Sequence, residues 1–157
     1  MREATLSFLM KEINGGKELL LAMKKKGFGK GKWNGVGGRF DSKNDKNILA
    51  TARRELEEEI GVIAQEILKV AILSFYFPYQ KDWNQNVHVF FVNNWQGKPK
   101  ETKEMRPKWF KINEIPFNQM WPDDKFWLPR ILRGEKLKAE FVFNKGEVID
   151  SYEIKTI

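Results

Sequence analysis

Residues 48–61, ILATARRELEEEIG, constrain the fold more than any other stretch of the chain. At 3.6 residues per turn Leu49, Leu56 and Ile60 form an apolar stripe, and Gly61 stops the pattern, so the spacing predicts a helix over Ile48–Ile60 that must lay its stripe on something. On both sides the period becomes that of strands. Residues 4–10 (ATLSFLM) and 18–23 (ELLLAM) read as two short strands, a hairpin-like pair around the Asn14-Gly15-Gly16 turn. A glycine-rich basic loop, KKKGFGKGKW, follows, then WNGVGGRF as strand or loop and a polar stretch in which Asp45 or Asn47 can cap the helix. Beyond the helix, residues 67–77 and 86–95 are rich in β-branched and aromatic side chains and read as two long strands joined by a polar loop. A shorter strand over 107–112, a helix within 125–134 interrupted by Pro129, and a closing hairpin around Lys145-Gly146 complete the order. Mixed strands with two helices imply an α/β (α+β) sandwich, a mixed β-sheet flanked by helices. With no repeat or linker, residues 1–157 are expected to form a single domain.

Composition narrows the function. The chain has 157 residues, 41% of them hydrophobic, enough for one packed interior. It has no cysteine and one histidine, which excludes disulfides and thiolate zinc sites and argues against a zinc enzyme. No apolar run approaches the roughly 20 residues of a membrane span, and the opening MREATLSFLM places an acid where a signal peptide would be basic, so the expectation is a cytoplasmic protein without a membrane partner. A formal charge of +7 points to an anionic partner without choosing between nucleotide and polynucleotide.

Within the helix, Glu55, Glu58 and Glu59 stand at i, i+3 and i+4, so their carboxylates share a face beside the apolar stripe. As a solvated charged face this is a poor arrangement. Like charges repel at these spacings, and the C-terminal end of a helix favours cations. Each effect is a few tenths of a kcal/mol when exposed, which Arg53 and Arg54 can offset. A bound divalent cation is the other compensator, because hard ions such as Mg2+ take oxygen ligands and keep positions for water and phosphate.

Arg54-Glu55-Leu56-Glu57-Glu58-Glu59-Ile60-Gly61-Val62 fits R-E-U-x-E-E-x-G-U, where U is apolar, the second half of the Nudix box, and Gly37-Gly38 suits the opening of that box. The chain therefore resembles a Nudix hydrolase. It departs from the family where a glutamate normally stands between the opening glycine and the arginine. Lys46 is nearest that position, and Gly38 to Arg54 is two residues longer than usual, which bears on the geometry of the loop and on rate. Further segments, MKKKGFGKGKWNGVGG, EMRPKWF and MWPDDKFW, are similar to the eukaryotic-type MutT homologues of the family, the 8-oxo-dGTP diphosphatases.

The resemblance implies a Nudix α/β/α sandwich and Mg2+-dependent hydrolysis (Mn2+ as substitute) of oxidised purine nucleoside triphosphates such as 8-oxo-dGTP and 2-oxo-dATP to monophosphate and pyrophosphate. It places Glu55, Glu58, Glu59 and the Gly37 carbonyl at the metal. It leaves open which of the glutamates, or Glu104, acts on the water. Lys24 is a candidate phosphate contact, although any one lysine among 28 Lys plus Arg is more often plain surface. For the base, the resemblance points to Asn34, Asp123 and Asp124, with Trp121, Phe28 and Phe75 packed around it. Without the family, Asp123 and Asp124 read as a helix N-cap and first-turn acid, and Phe75 reads equally well as core. Two adjacent carboxylates in a partly apolar site raise the pKa of one, which then offers a donor beside an acceptor. Thr5 aligns too weakly to include. The expected partner is a nucleotide, with no stable nucleic-acid partner, and the family precedent is a monomer. Two rivals remain: a Nudix hydrolase of dinucleoside polyphosphates or undamaged NTPs and dNTPs, which needs no Asp pair, and a nucleic-acid-binding module built on KKKGFGKGKW, which leaves the glutamate spacing unexplained.

Overall fold

The computed structural model describes residues 1–157. Its elements, in chain order, are β1 (Arg2–Ile13), β2 (Gly16–Lys24), β3 (Trp33–Asn34), α1 (Ile48–Ile60), β4 (Ile63–Tyr76), β5 (Gln85–Gln96), β6 (Met105–Lys111), α2 (Asp124–Leu132), β7 (Leu137–Asn144) and β8 (Val148–Thr156). The eight strands form one mixed sheet in the order β3-β2-β1-β5-β4-β7-β8, with β6 on the other side of β2. Two pairings, β1 with β5 and β4 with β7, are parallel. The α+β class and the two flanking helices expected from the sequence are present.

The opening pair is a hairpin, but β1 is longer than the apolar run suggests and serves two neighbours. Arg2–Leu9 runs along Gln85–Val92, whereas Met10–Ile13 turns to β2 across the Asn14-Gly15 turn. Where β1 and β2 separate, residues 33–39 wedge between them. Trp33 and Asn34 pair with Met23 and Ala22 of β2, then Val36 and Arg39 bridge to Ser7 and Ala4 of β1. A segment that was ambiguous between strand and loop is thus held from both sides.

The helix over Ile48–Ile60 begins and ends where its pattern says. Asn47, of the two candidates, is the cap: its side chain accepts from Ala50 N at 2.9 Å, and Gly61 closes the other end at φ 73°. Leu56 and Ile60 are fully buried against Leu9, Leu20, Val62 and Val92 on one face of the sheet. Burial of such side chains is worth about 1.5–3 kcal/mol each. The opposite face carries the larger core, where Trp127, Leu128 and Ile131 of α2 pack with Phe8, Leu73, Val89 and Phe141. Pro129 does not interrupt α2, which runs through it. In so short a helix the proline removes a single ladder bond, and three buried anchors on the same turns hold the segment helical. No helix is long and apolar enough to cross a membrane.

Candidate active site

The wedge at 33–39 brings the opening glycines onto α1. A Cβ on Gly37 would overlap the Thr5 carbonyl, so backbone passes where no other residue fits, and one on Gly38 would push the Glu55 carboxylate from its place. Thr5 N donates to Gly38 O at 2.9 Å and Thr5 Oγ1 approaches the same oxygen at 3.4 Å, while Gly37 O takes no backbone bond. Thr5, set aside on sequence grounds, therefore fixes this turn and lies on the cleft wall.

Arg54 organises the acidic end of α1. One guanidinium nitrogen donates to Glu55 Oε1 at 2.9 Å and to Glu58 Oε2 at 3.1 Å. The rest of the fork grips Asp45, with Nε to Oδ1 at 2.8 Å and Nη2 to Oδ2 at 2.9 Å. Asp45 is buried and also accepts from Asp41 N and Thr51 Oγ1. The hydrogen bonds from Arg54 hold its carboxyl far below the ordinary range, and the same contact pushes Arg54 up. Asp45 is the residue that sequence reasoning missed. It stands next to Lys46, where the family glutamate is absent, and the lengthened loop delivers a carboxylate to the arginine one position early.

A mutational consequence follows from this bidentate contact. Asp45→Ala is expected to destabilise the fold by about 2–3 kcal/mol, since it strips a partly exposed guanidinium of its buried partner and frees Glu55 and Glu58 to shift. Because the folded pKa is depressed, this contribution is full above the unfolded value near 4 and is lost as pH falls below it. Chemical denaturation from pH 3 to pH 7 should show the gap between wild type and Asp45→Ala opening as pH rises.

The other carboxylates differ in surroundings. Desolvation raises Glu55, partly opposed by Arg54. Desolvation also raises Glu59, reinforced by the charges of Glu55 and Glu104 and opposed by Lys24. Glu59 Oε2 is buried without any partner, whereas Glu58 and Glu104 are exposed. No three acids converge closely enough to cage an ion by themselves, as Arg54 draws Glu55 and Glu58 to itself. An unpartnered buried carboxylate oxygen, an unbonded glycine carbonyl and an all-oxygen donor set nevertheless suit a hard divalent cation.

From Gly37 and Gly38 a cleft of about 240 Å³ runs between the wedge and α2, the scale of one base and its sugar rather than of a polynucleotide strand. Lys24, Phe28, Asn34, Phe75, Trp121, Asp123 and Asp124 all line it. Asn34 Oδ1 accepts from Gly35 N at 2.9 Å, which orients the amide and leaves its NH2 without a protein partner. Phe75 is both wall and core, stacked on Phe141 at 5.7 Å. Phe77, not singled out from the sequence, lines the cleft beside it, and its i, i+2 spacing from Phe75 was the available signal.

Asp123 occupies the N-cap position of α2 but makes no cap bond. Its Oδ2 instead accepts from the indole Nε1 of Trp127 at 2.8 Å. Both aspartates are buried, at 3% and 2% exposure, which decides their protonation. Desolvation lifts Asp123 to about 6. Asp124 rises well above the carboxylate range through desolvation and the neighbouring Asp123 charge, and its Oδ2 has no partner. The pair therefore offers the cleft an acceptor and a proton donor side by side.

Residues 5–131 match the NUDIX domain. The chain is 40% identical over 139 residues to proteins of Danio rerio and Mus musculus, each named oxidized purine nucleoside triphosphate hydrolase, covering 88% of this chain and 87% of each relative. Its fold is that of a MutT protein from Bacillus halodurans (TM-score 0.80, 21% identity, 99% of this chain and 98% of that one). A NUDIX hydrolase from Nitrosomonas europaea is also similar (TM-score 0.64, 20% identity, covering 92% and 79%). The NUDIX match over residues 5–131, with two relatives 40% identical along most of the chain, places this chain in the Nudix family of hydrolases.

Proposed function

We propose that the chain hydrolyses oxidised purine nucleoside triphosphates, 8-oxo-dGTP and 2-oxo-dATP among them, to the monophosphate and pyrophosphate, with Mg2+ held by Glu55, Glu58, Glu59 and the Gly37 carbonyl. The observation that carries the substrate is the Asp123–Asp124 pair, buried on the wall of a cleft that also reaches Gly38, the glycine set against Glu55 of the glutamate helix. The names of the two relatives support the same substrate class.

The chain's own residues divide the work. Trp121, Phe28 and Phe75 hold a purine by its faces, which supplies affinity with little discrimination. Asn34, the ionised Asp123 and the protonated Asp124 meet its edge, so a base with the wrong donor pattern leaves buried polar groups unpaired. Lys24, at the end of β2, lines the cleft near enough to Glu59 for their charges to interact, and attracts the phosphate chain. Glu59 and Glu104, whose charges feel each other, are the candidates that orient or deprotonate the water. A divalent cation bound there neutralises phosphate charge and makes a water easier to deprotonate. Water attack at the β-phosphorus breaks its bond to the α–β bridging oxygen, which leaves with the monophosphate. Turnover of 8-oxo-dGTP in 18O-labelled water is expected to put the label in pyrophosphate, and label in the nucleotide would reject attack at that phosphorus.

A further inference from the structure

At the mouth of the cleft Phe28 is 61% exposed, a costly place for a phenyl group unless something holds it there. Two tryptophans do. Trp121 stacks on it at 5.1 Å with planes 28° apart, and Trp83 meets it at 5.7 Å, tilted by 54°. Trp83 sits on a single 3-10 turn, Lys81–Trp83, in the β4–β5 connection, an element that contributes nothing else to the stacking wall. Its ring also abuts Phe77 edge-on at 5.6 Å and Tyr79 at 5.9 Å, and Phe77 in turn stacks on Phe143 at 5.3 Å. Trp83 does not line the cleft itself.

The loop carrying Phe28 depends on such support. Gly27, Gly29 and Gly31 all have positive φ, at 74°, 83° and 84°, and glycine there leaves the backbone many alternatives. Its internal bonds run from Lys24 N to Lys32 O, Lys30 N to Gly27 O, Lys32 N to Gly29 O and Gly31 N to Lys24 O, and its ends are anchored by Lys25 N to Glu104 O, Lys25 Nζ to Thr102 O and the Lys32–Glu147 ion pair. None of these fixes the phenyl ring. Aromatic packing from the flanking elements does, and only Trp83 ties the β2–β3 loop to the β4–β5 turn through such packing.

We infer that Trp83 is a positioning residue for base binding: it clasps Phe28 across the mouth of the cleft, joining two loops into one continuous aromatic rim from Trp121 to Phe143. This rests on the proposed base cleft. It predefines the stacking wall before the nucleotide arrives, so the ordering cost is met in the free protein instead of on binding. An aromatic pair of this kind is worth a factor of about three to ten in affinity. Since the phosphates are handled at the far end, the effect falls on KM and leaves kcat nearly alone.

The test has a part that needs no substrate. Trypsin treatment of the folded protein, followed by mass spectrometry of cuts at Lys24–Lys32, is expected to show the Trp83→Ala loop cut several-fold faster than wild type, with Trp83→Phe close to wild type. An unchanged cutting rate overturns the clasp whatever the substrate proves to be. Steady-state kinetics with 8-oxo-dGTP and Mg2+ then give the functional arm: KM up about three- to tenfold for Trp83→Ala, kcat within about twofold, and Trp83→Phe restored. Phe28→Ala and the double variant should match each other, because Trp83 acts through Phe28. Additive losses, or a fall in kcat without a rise in KM, would overturn the inference. A wild type that ignores 8-oxo-dGTP but shows the loop protection would instead refute the base-cleft reading while leaving the clasp standing as a contact.

Discussion

Glu59→Gln is expected to lower kcat by about two to three orders of magnitude while leaving the folded protein as stable as wild type or more so. The two halves come from one observation. Glu59 carries a buried oxygen with no partner and a pKa raised by desolvation and by Glu55 and Glu104, so its charge costs folding free energy. A side chain kept in that state is placed for what it binds. The amide removes the charge, relieves the repulsion and keeps the shape. Metal-free thermal unfolding and steady-state turnover on the same preparation check both halves, and a variant that keeps wild-type turnover would remove Glu59 from the metal set. Glu58→Gln should change stability less in either direction, because Glu58 is exposed and already shares Arg54.

The second large effect is on selectivity. Asp123→Asn is expected to reduce kcat/KM for oxidised purines by about a hundredfold while hydrolysis of a dinucleoside tetraphosphate, which needs no such reading, stays within a few-fold. Asp123 Oδ2 already accepts from the Trp127 indole, so an amide placed there keeps its oxygen on the indole and turns NH2 toward the base, inverting the acceptor the cleft presents. Protonation makes the same point by pH. A base edge read by one donor and one acceptor needs one proton on the pair, so preference for oxidised purines should decline as pH rises through the upper ionisation of the pair. Stability follows with the opposite sign to Asp45. The folded pKa of Asp123 is about 6, above its unfolded value, so the pair's contribution is full below about pH 4 and is lost as pH rises through 6. Desolvation makes both carboxyls costly to ionise, and Asp124, raised further by the neighbouring Asp123 charge, the more so. Because Asp124 itself is raised well above its unfolded value, Asp124→Asn should be more stable than wild type at pH 8, with the advantage vanishing in acid.

Much of this was legible in the sequence where a repeating pattern or a family motif carried it. The helix over Ile48–Ile60 was fixed by apolar spacing and by Gly61, and the long strands by aromatic and β-branched runs. The cleft residues came from short motifs, and the structure gathers Lys24, Phe28, Asn34, Gly37, Phe75, Trp121, Asp123 and Asp124 along one cleft. Contacts made across irregular backbone stayed hidden. Asp45 reads as a helix cap or a loop acid until the fold swings it onto Arg54 nine positions on, and a two-residue change in loop length erases the motif that would have shown it. Pro129 was read through its local propensity, which tertiary burial of Trp127, Leu128 and Ile131 overrides. Trp83 lies in a polar loop, and nothing local links it to a phenylalanine more than fifty residues earlier.

One measurement bears most directly on the central claim: kcat/KM of the purified protein with Mg2+ for 8-oxo-dGTP, 2-oxo-dATP, dGTP and a dinucleoside tetraphosphate, with pyrophosphate and nucleotide products quantified. The expected result is a preference of about a hundredfold or more for an oxidised purine over dGTP, abolished by EDTA. Equal turnover of dGTP, or turnover of the tetraphosphate alone, would contradict it.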